Sequence, residues 1–134
     1  MATALAHIRV RPGMEARFEQ IATELYRATH AEETAVRRYE YWRGAEPGTY
    51  YCLLSFDDFL GFLTHQSSGH HSAATSGLNE VIAAMTLEWV DPVGTASPLS
   101  STDTQPLPPD ASELAASYHR RFADVGQPWW QPLR

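Results

Sequence analysis

The chain has 134 residues, of which 43% are hydrophobic and 19% charged, ordinary values for one globular domain with an appendage and unlike those of a disordered chain. A formal net charge of −6 with no run of Lys or Arg argues against nucleic acid or an anionic membrane as partner, since both call for a concentrated basic face. No stretch of about 20 apolar residues occurs that would span a membrane, and a core this small gains from burying further surface against a second copy.

Met1 to Ala6 is too short and too uncharged for the start of a secretory signal, so the sequence reads as cytoplasmic. Thr3 to Arg11 alternates Ala4, Ala6, Ile8 and Val10 against Leu5, His7, Arg9 and Arg11, a period of two that predicts a first strand. Pro12-Gly13 ends it. From Met14 to about Glu32 the period becomes helical, with Phe18, Ile21, Ala22, Leu25 and Ala28 in one stripe. Val36 to Arg43 reads as a second strand, Gly44 to Gly48 as a turn, and Thr49 to Phe56 as a third, central strand, apolar on both faces. Cys52, the only cysteine, lies in that third strand, where a buried, inert thiol is expected and no disulfide can form within the chain.

Asp57-Asp58 offers an N-cap to a short helix from Phe59 to about Gln66. Ser67-Ser68-Gly69 breaks it. A second helical stretch is predicted from His71 to Met85, with Leu78, Val81, Ile82 and Met85 on one side, and a last strand from Thr86 to Val90. The order β-α-β-β-α-β is that of an α+β, ferredoxin-like domain. Residues 1–93 form this domain, 94–112 a linker rich in Ser, Thr and Pro, and 113–134 a short amphipathic helix with a Trp-rich tail. Trp129 and Trp130 are costly to expose, so the tail is expected to dock on its own domain or on a partner subunit.

Three of the six histidines, His65, His70 and His71, fall at the break between the two later helices. Such breaks leave side chains and backbone groups facing a cavity, and an imidazole there suits a general base or a donor to a phenol or quinol oxygen. The plainer role is a histidine that caps a helix end. No metal site is read: His65 and His70 lie on different faces of an ideal helix, and no Asp or Glu follows before Glu80. Phosphate loops, nucleophile elbows and cofactor motifs are absent. His7, on the mixed face of the first strand, points either into the same cavity or into a dimer interface. Of the many aromatics, Tyr39, Tyr51, Phe62 and Trp89 are taken as lining a flat apolar pocket for an aromatic ligand.

These features resemble the antibiotic biosynthesis monooxygenase (ABM) family over about Thr3 to Val93. The first strand, Pro12-Gly13 and the long helix match. The stretch Glu33-Thr34-Ala35-Val36-Arg37-Arg38-Tyr39-Glu40 is similar to the family's E-P-G-x-x-x-Y-E. Phe56, His65 nine residues on, Ser68 and His70 are similar to its W-x(8)-H-x(2–3)-S/T-x-H pattern. The resemblance implies a homodimer whose sheets pack in a dimeric α/β barrel. It also implies oxygenation of a phenolic or quinol substrate without flavin, metal or haem, with His65 and His70 lining the pocket. Thr34-Ala35 stands for the family's Pro-Gly, and Leu54-Ser55-Phe56 for its E-x-W, removing a carboxylate and an indole. Two alternatives stay open: a histidine-dependent isomerase or cyclase, and a non-catalytic ligand-binding or accessory module.

Overall fold

A computed structural model describes residues 1–134. Strand β1 (Ala2–Val10) is followed by helix α1 (Glu15–Glu32), strands β2 (Val36–Arg43) and β3 (Thr49–Phe56), helices α2 (Phe59–Gln66) and α3 (Gly69–Val81), strand β4 (Ile82–Trp89) and helix α4 (Glu113–Phe122). The four strands form one antiparallel sheet in the order β2-β3-β1-β4, the ferredoxin-like arrangement. Alternation decides its two faces. Ala4, Ala6, Ile8 and Val10 of β1 and Tyr50, Cys52, Leu54 and Phe56 of β3 are buried under the helices with Phe18, Ile21, Ala22 and Leu25 of α1. The opposite face carries Leu5, His7, Tyr51 and Trp42, and no helix of the chain is long and apolar enough to cross a membrane.

The boundary between α3 and β4 differs from the expected one. Residues 82–85, read as the last helical turn, are the first part of the strand, and Ile82 pairs with Val10 across a register shift that leaves Ala83 of β4 as the extra residue. Ile82 and Met85 satisfy a helical stripe as well as a strand alternation, and only the free edge of β1 decides between them. Helix α3 also begins earlier than expected, at Gly69, because the Ser68 side chain accepts a hydrogen bond from the His71 backbone N–H at 3.2 Å and caps it. Asp58 caps α2 in the same way, accepting from Gly61 N at 2.7 Å.

One glycine sets how closely α2 lies on the sheet. A Cβ at Gly61 would stand 2.9 Å from the Ala35 methyl and 3.3 Å from Phe56 Cβ, so the helix reaches this depth only without a side chain there. His65, one turn later on the same side, is thereby pressed toward the end of α1.

The C-terminal segment lies on its own chain. Thr102 accepts from Thr3 N and donates to the Val90 carbonyl at 2.7 Å, and Arg134 reaches Asp91 and Asp103 at 2.9 Å. Helix α4 covers α2, with the Trp89 indole N–H donating to the Phe122 carbonyl at 3.1 Å.

Candidate functional site

Glu33 follows directly on α1, its extended backbone turning the chain out of the helix while its N–H still bonds to Thr29 O. The side chain turns inward. Its Oε1 lies 2.8 Å from His65 Nδ1 and 2.6 Å from His70 Nε2. The His65 side chain is fully buried, Glu33 is 7% exposed and His70 12%. A carboxylate can only accept, so each imidazole donates from the nitrogen facing it. The second nitrogen of His70, Nδ1, lies 3.2 Å from Glu32 Oε2, while Thr29 Oγ1 stands 3.4 Å from its Nε2.

The rest of the pocket around His65 is aromatic. The Tyr39 ring is 4.7 Å away, Phe56 5.3 Å and His71 5.0 Å between centroids. His65 Nε2 is buried and has no hydrogen-bond partner, and the same holds for His71 Nδ1. Unpartnered buried nitrogens are uncommon, because the lost hydration is not replaced. Here they occur on two adjacent histidines.

Electrostatics follow from this packing. Burial pushes the Glu33 carboxyl up, but hydrogen bonds and charge from His65, and then from His70, outweigh it and hold the group below its ordinary value. His71 is lowered to about 4 by burial and by the charges of His65 and His70, so its ring is neutral at pH 7. Burial raises the Tyr39 phenol well above its usual range, with Tyr41 adding to it, and this phenol stays protonated. Burial also pushes Cys52 up to about 12, as an inert thiol requires.

The seven residues singled out in the sequence occupy three places. His65, His70 and Tyr39 come together under the helices. His7 and Tyr51 lie on the opposite face of the sheet, their rings 5.6 Å apart, with His7 Nε2 2.8 Å from Glu88 Oε2. Phe62 and Trp89, 4.9 Å apart, lie on the far side of α2 under α4. The residue missed is Glu33. Counting forward from His70 to the first acid found only Glu80, whereas the carboxylate arrives from the end of α1. The signal was present, since Glu33 heads the stretch that resembles E-P-G-x-x-x-Y-E.

Ligand atoms of Glu33, His65 and His70 all lie within 4.8 Å of one another, a donor set that suits a divalent cation. At 2.6 and 2.8 Å the atoms are at hydrogen-bonding separation, and a cation would have to replace both shared protons. A cleft of about 310 Å³ between α1 and α3 is bordered by His70, Ile21, Leu25 and Gly77. A larger one, about 520 Å³, between α1 and the β2 edge is bordered by Phe18, Tyr26, Tyr41 and Trp42.

Comparison with known proteins agrees with this fold. The model of the family described as antibiotic biosynthesis monooxygenase matches residues 1–76. A solved structure from Caulobacter crescentus superposes with a TM-score of 0.63 at 24% identity, over 65% of this chain and 84% of that one. An antibiotic biosynthesis monooxygenase structure gives 0.64 at 18% identity, over 70% and 100%. A Mycobacterium tuberculosis protein gives 0.62 at 18%, over 72% and 98%. Identities this low speak for the fold alone. No curated protein matches the sequence.

Proposed function

The chain belongs to the antibiotic biosynthesis monooxygenase family, and from that membership we propose that it oxygenates an aromatic phenol or quinol with dioxygen, without a bound cofactor. The observation that carries this reading is the bare, buried Nε2 of His65 among aromatic rings. An imidazole nitrogen without a hydrogen-bond partner in a dry, aromatic pocket is placed to accept a phenolic or benzylic proton. The deprotonated substrate gives one electron to dioxygen, and the substrate radical and superoxide combine at carbon. His65 returns its proton to the peroxide, and loss of water leaves a carbonyl where a CH₂ stood. One molecule of dioxygen thus yields one carbonyl and one water.

Substrate reaches Nε2 by parting α3 from α1 along the cleft that His70 borders. Gly69, at the joint of α2 and α3, faces open space. Dimerisation uses the opposite sheet face, where Leu5, Leu53, Tyr51 and Trp42 lie in register and Trp42 is 59% exposed. Sedimentation of the full chain and of Trp42→Arg tests it: a dimer that dissociates in the variant is expected.

Dioxygen uptake is the direct test of the chemistry. With an anthrone-like substrate the full chain consumes dioxygen and forms the carbonyl, and His65→Gln slows this about 100-fold or more. Turnover that proceeds equally without dioxygen selects an isomerase or cyclase instead. Absence of both turnover and aromatic ligand binding selects an accessory module, a reading that Leu54 and Phe56 favour by replacing the family's Glu and Trp.

A further inference from the structure

We propose that Glu33 is the positioning residue of this site: it fixes the proton of His65 on Nδ1, leaves Nε2 bare for substrate, and supplies the negative charge that an imidazolium forming there needs. The inference rests on His65 acting as the base, and it assigns that base's orientation to one carboxylate at the end of α1. Three observations support it.

The first is geometry. Oε1 of Glu33 is 2.8 Å from His65 Nδ1, a charge-assisted hydrogen bond that selects the Nδ1–H tautomer and turns Nε2 the other way. A histidine held only for packing would have both nitrogens bonded or one in water. Here one is held and the other is left without a partner in the interior. The second is the support given to the carboxylate itself. His70 donates to the same Oε1 at 2.6 Å, so the acceptor is pinned from two helices, and both donors stay on it when His65 takes up a proton at Nε2. The third is the setting. The titratable groups that meet His65 come from three elements: Glu33 from the end of α1, His70 and His71 from α3, and Tyr39 from β2, with Glu32 one step outward against His70. Burial keeps His71 neutral and Tyr39 protonated. Glu33 is the carboxylate in direct contact with His65, whereas Glu32 reaches only His70.

The same logic governs carboxylate-imidazole pairs in general. The carboxylate takes no proton itself; it holds the ring in one tautomer and stabilises the cation that forms. The loss expected on neutralising it thus falls on turnover more than on binding.

Nitrogen-15 spectra of the histidine side chains in the full-length, substrate-free chain decide the matter first. The wild-type chain is expected to show neutral His65 protonated at Nδ1 and bare at Nε2, and Glu33→Leu to move the proton to Nε2. Wild-type His65 protonated at Nε2 overturns the proposal at once, whether or not any variant folds. Kinetics then separate positioning from simple support. Glu33→Gln keeps an acceptor of the same shape without its charge, and is expected to lower kcat about 100-fold while KM stays within about threefold. Glu33→Asp recovers part of the loss. A Glu33→Gln enzyme with wild-type kcat overturns the proposal. Because the spectra need no substrate, failure to find dioxygen uptake sinks the oxygenase reading and leaves the tautomer result to judge Glu33 by itself.

Discussion

Helix α2 faces two unlike interiors. On one side Gly61 and His65, four residues apart, look toward the end of α1, where His65 meets a carboxylate, another imidazole and two aromatic rings. On the other, Phe59 and Phe62, three apart, look toward α4 and meet Trp89, Phe122 and the edge of His119, while Phe62 also touches the Phe56 ring that borders His65. Phe59, Phe62 and His65 are all fully buried. Equal burial thus serves two ends. The aromatic side releases apolar surface from water and asks nothing more of its neighbours. The polar side keeps a titratable cluster dry and leaves a buried imidazole nitrogen without a hydrogen-bond partner.

Phe62→Ala is the coarsest way to sharpen the contrast. Truncating a fully buried ring between Phe59, Trp89 and Phe122 costs about 3–5 kcal/mol of stability, read from denaturant unfolding. The turnover number of the folded fraction stays near wild type, since this ring has no part in proton transfer.

The next test uses pH. His71 falls to about 4 from an ordinary value of 6.5, so the unfolded chain takes up a proton at a higher pH than the fold does. Its contribution is fully present above the unfolded value and is lost as pH falls from 6.5 toward 4. For a partly buried group this amounts to at most about 3 kcal/mol. Glu33, held below its ordinary value, adds a loss of the same sign at lower pH, as it becomes protonated. Melting temperatures measured across this range should fall with acid, and His71→Leu should flatten the upper part of the fall. An identical fall in that variant would place the titration elsewhere.

The smallest effect expected is at the edge of the aromatic side. Trp89→Phe keeps the ring but loses the indole N–H that donates to the Phe122 carbonyl at 3.1 Å. About 1 kcal/mol is expected, with α4 loosening first, as backbone hydrogen exchange would detect.

How much of this was legible in the sequence follows the range of each interaction. Strand alternation and the helical stripe of α1 are local, and they placed the β-α-β-β-α-β order and the buried Ala4–Ala6–Ile8–Val10 set correctly. Residues 82–85 were misread because Ile82 and Met85 fit both periods; the deciding partner, Val10, lies far back in the chain. His65 and His70 were visible as a pair at a helix break. Their carboxylate was not, because Glu33 stands 32 and 37 positions before them, and only the fold closes that gap. The aromatic residues show the opposite failure. Composition marked Tyr51, Phe62 and Trp89 as lining candidates, yet nothing in it separates the sheet's open face from the two sides of α2.

The contrast between the two sides of α2 is tested most directly by the turnover numbers of His65→Gln and Phe62→Leu, measured as dioxygen uptake with an anthrone-like substrate below the melting temperature of each. The account predicts about 100-fold or greater loss in His65→Gln and a near wild-type value per folded molecule in Phe62→Leu. Equal losses in the two, or a His65→Gln enzyme as fast as wild type, would contradict it.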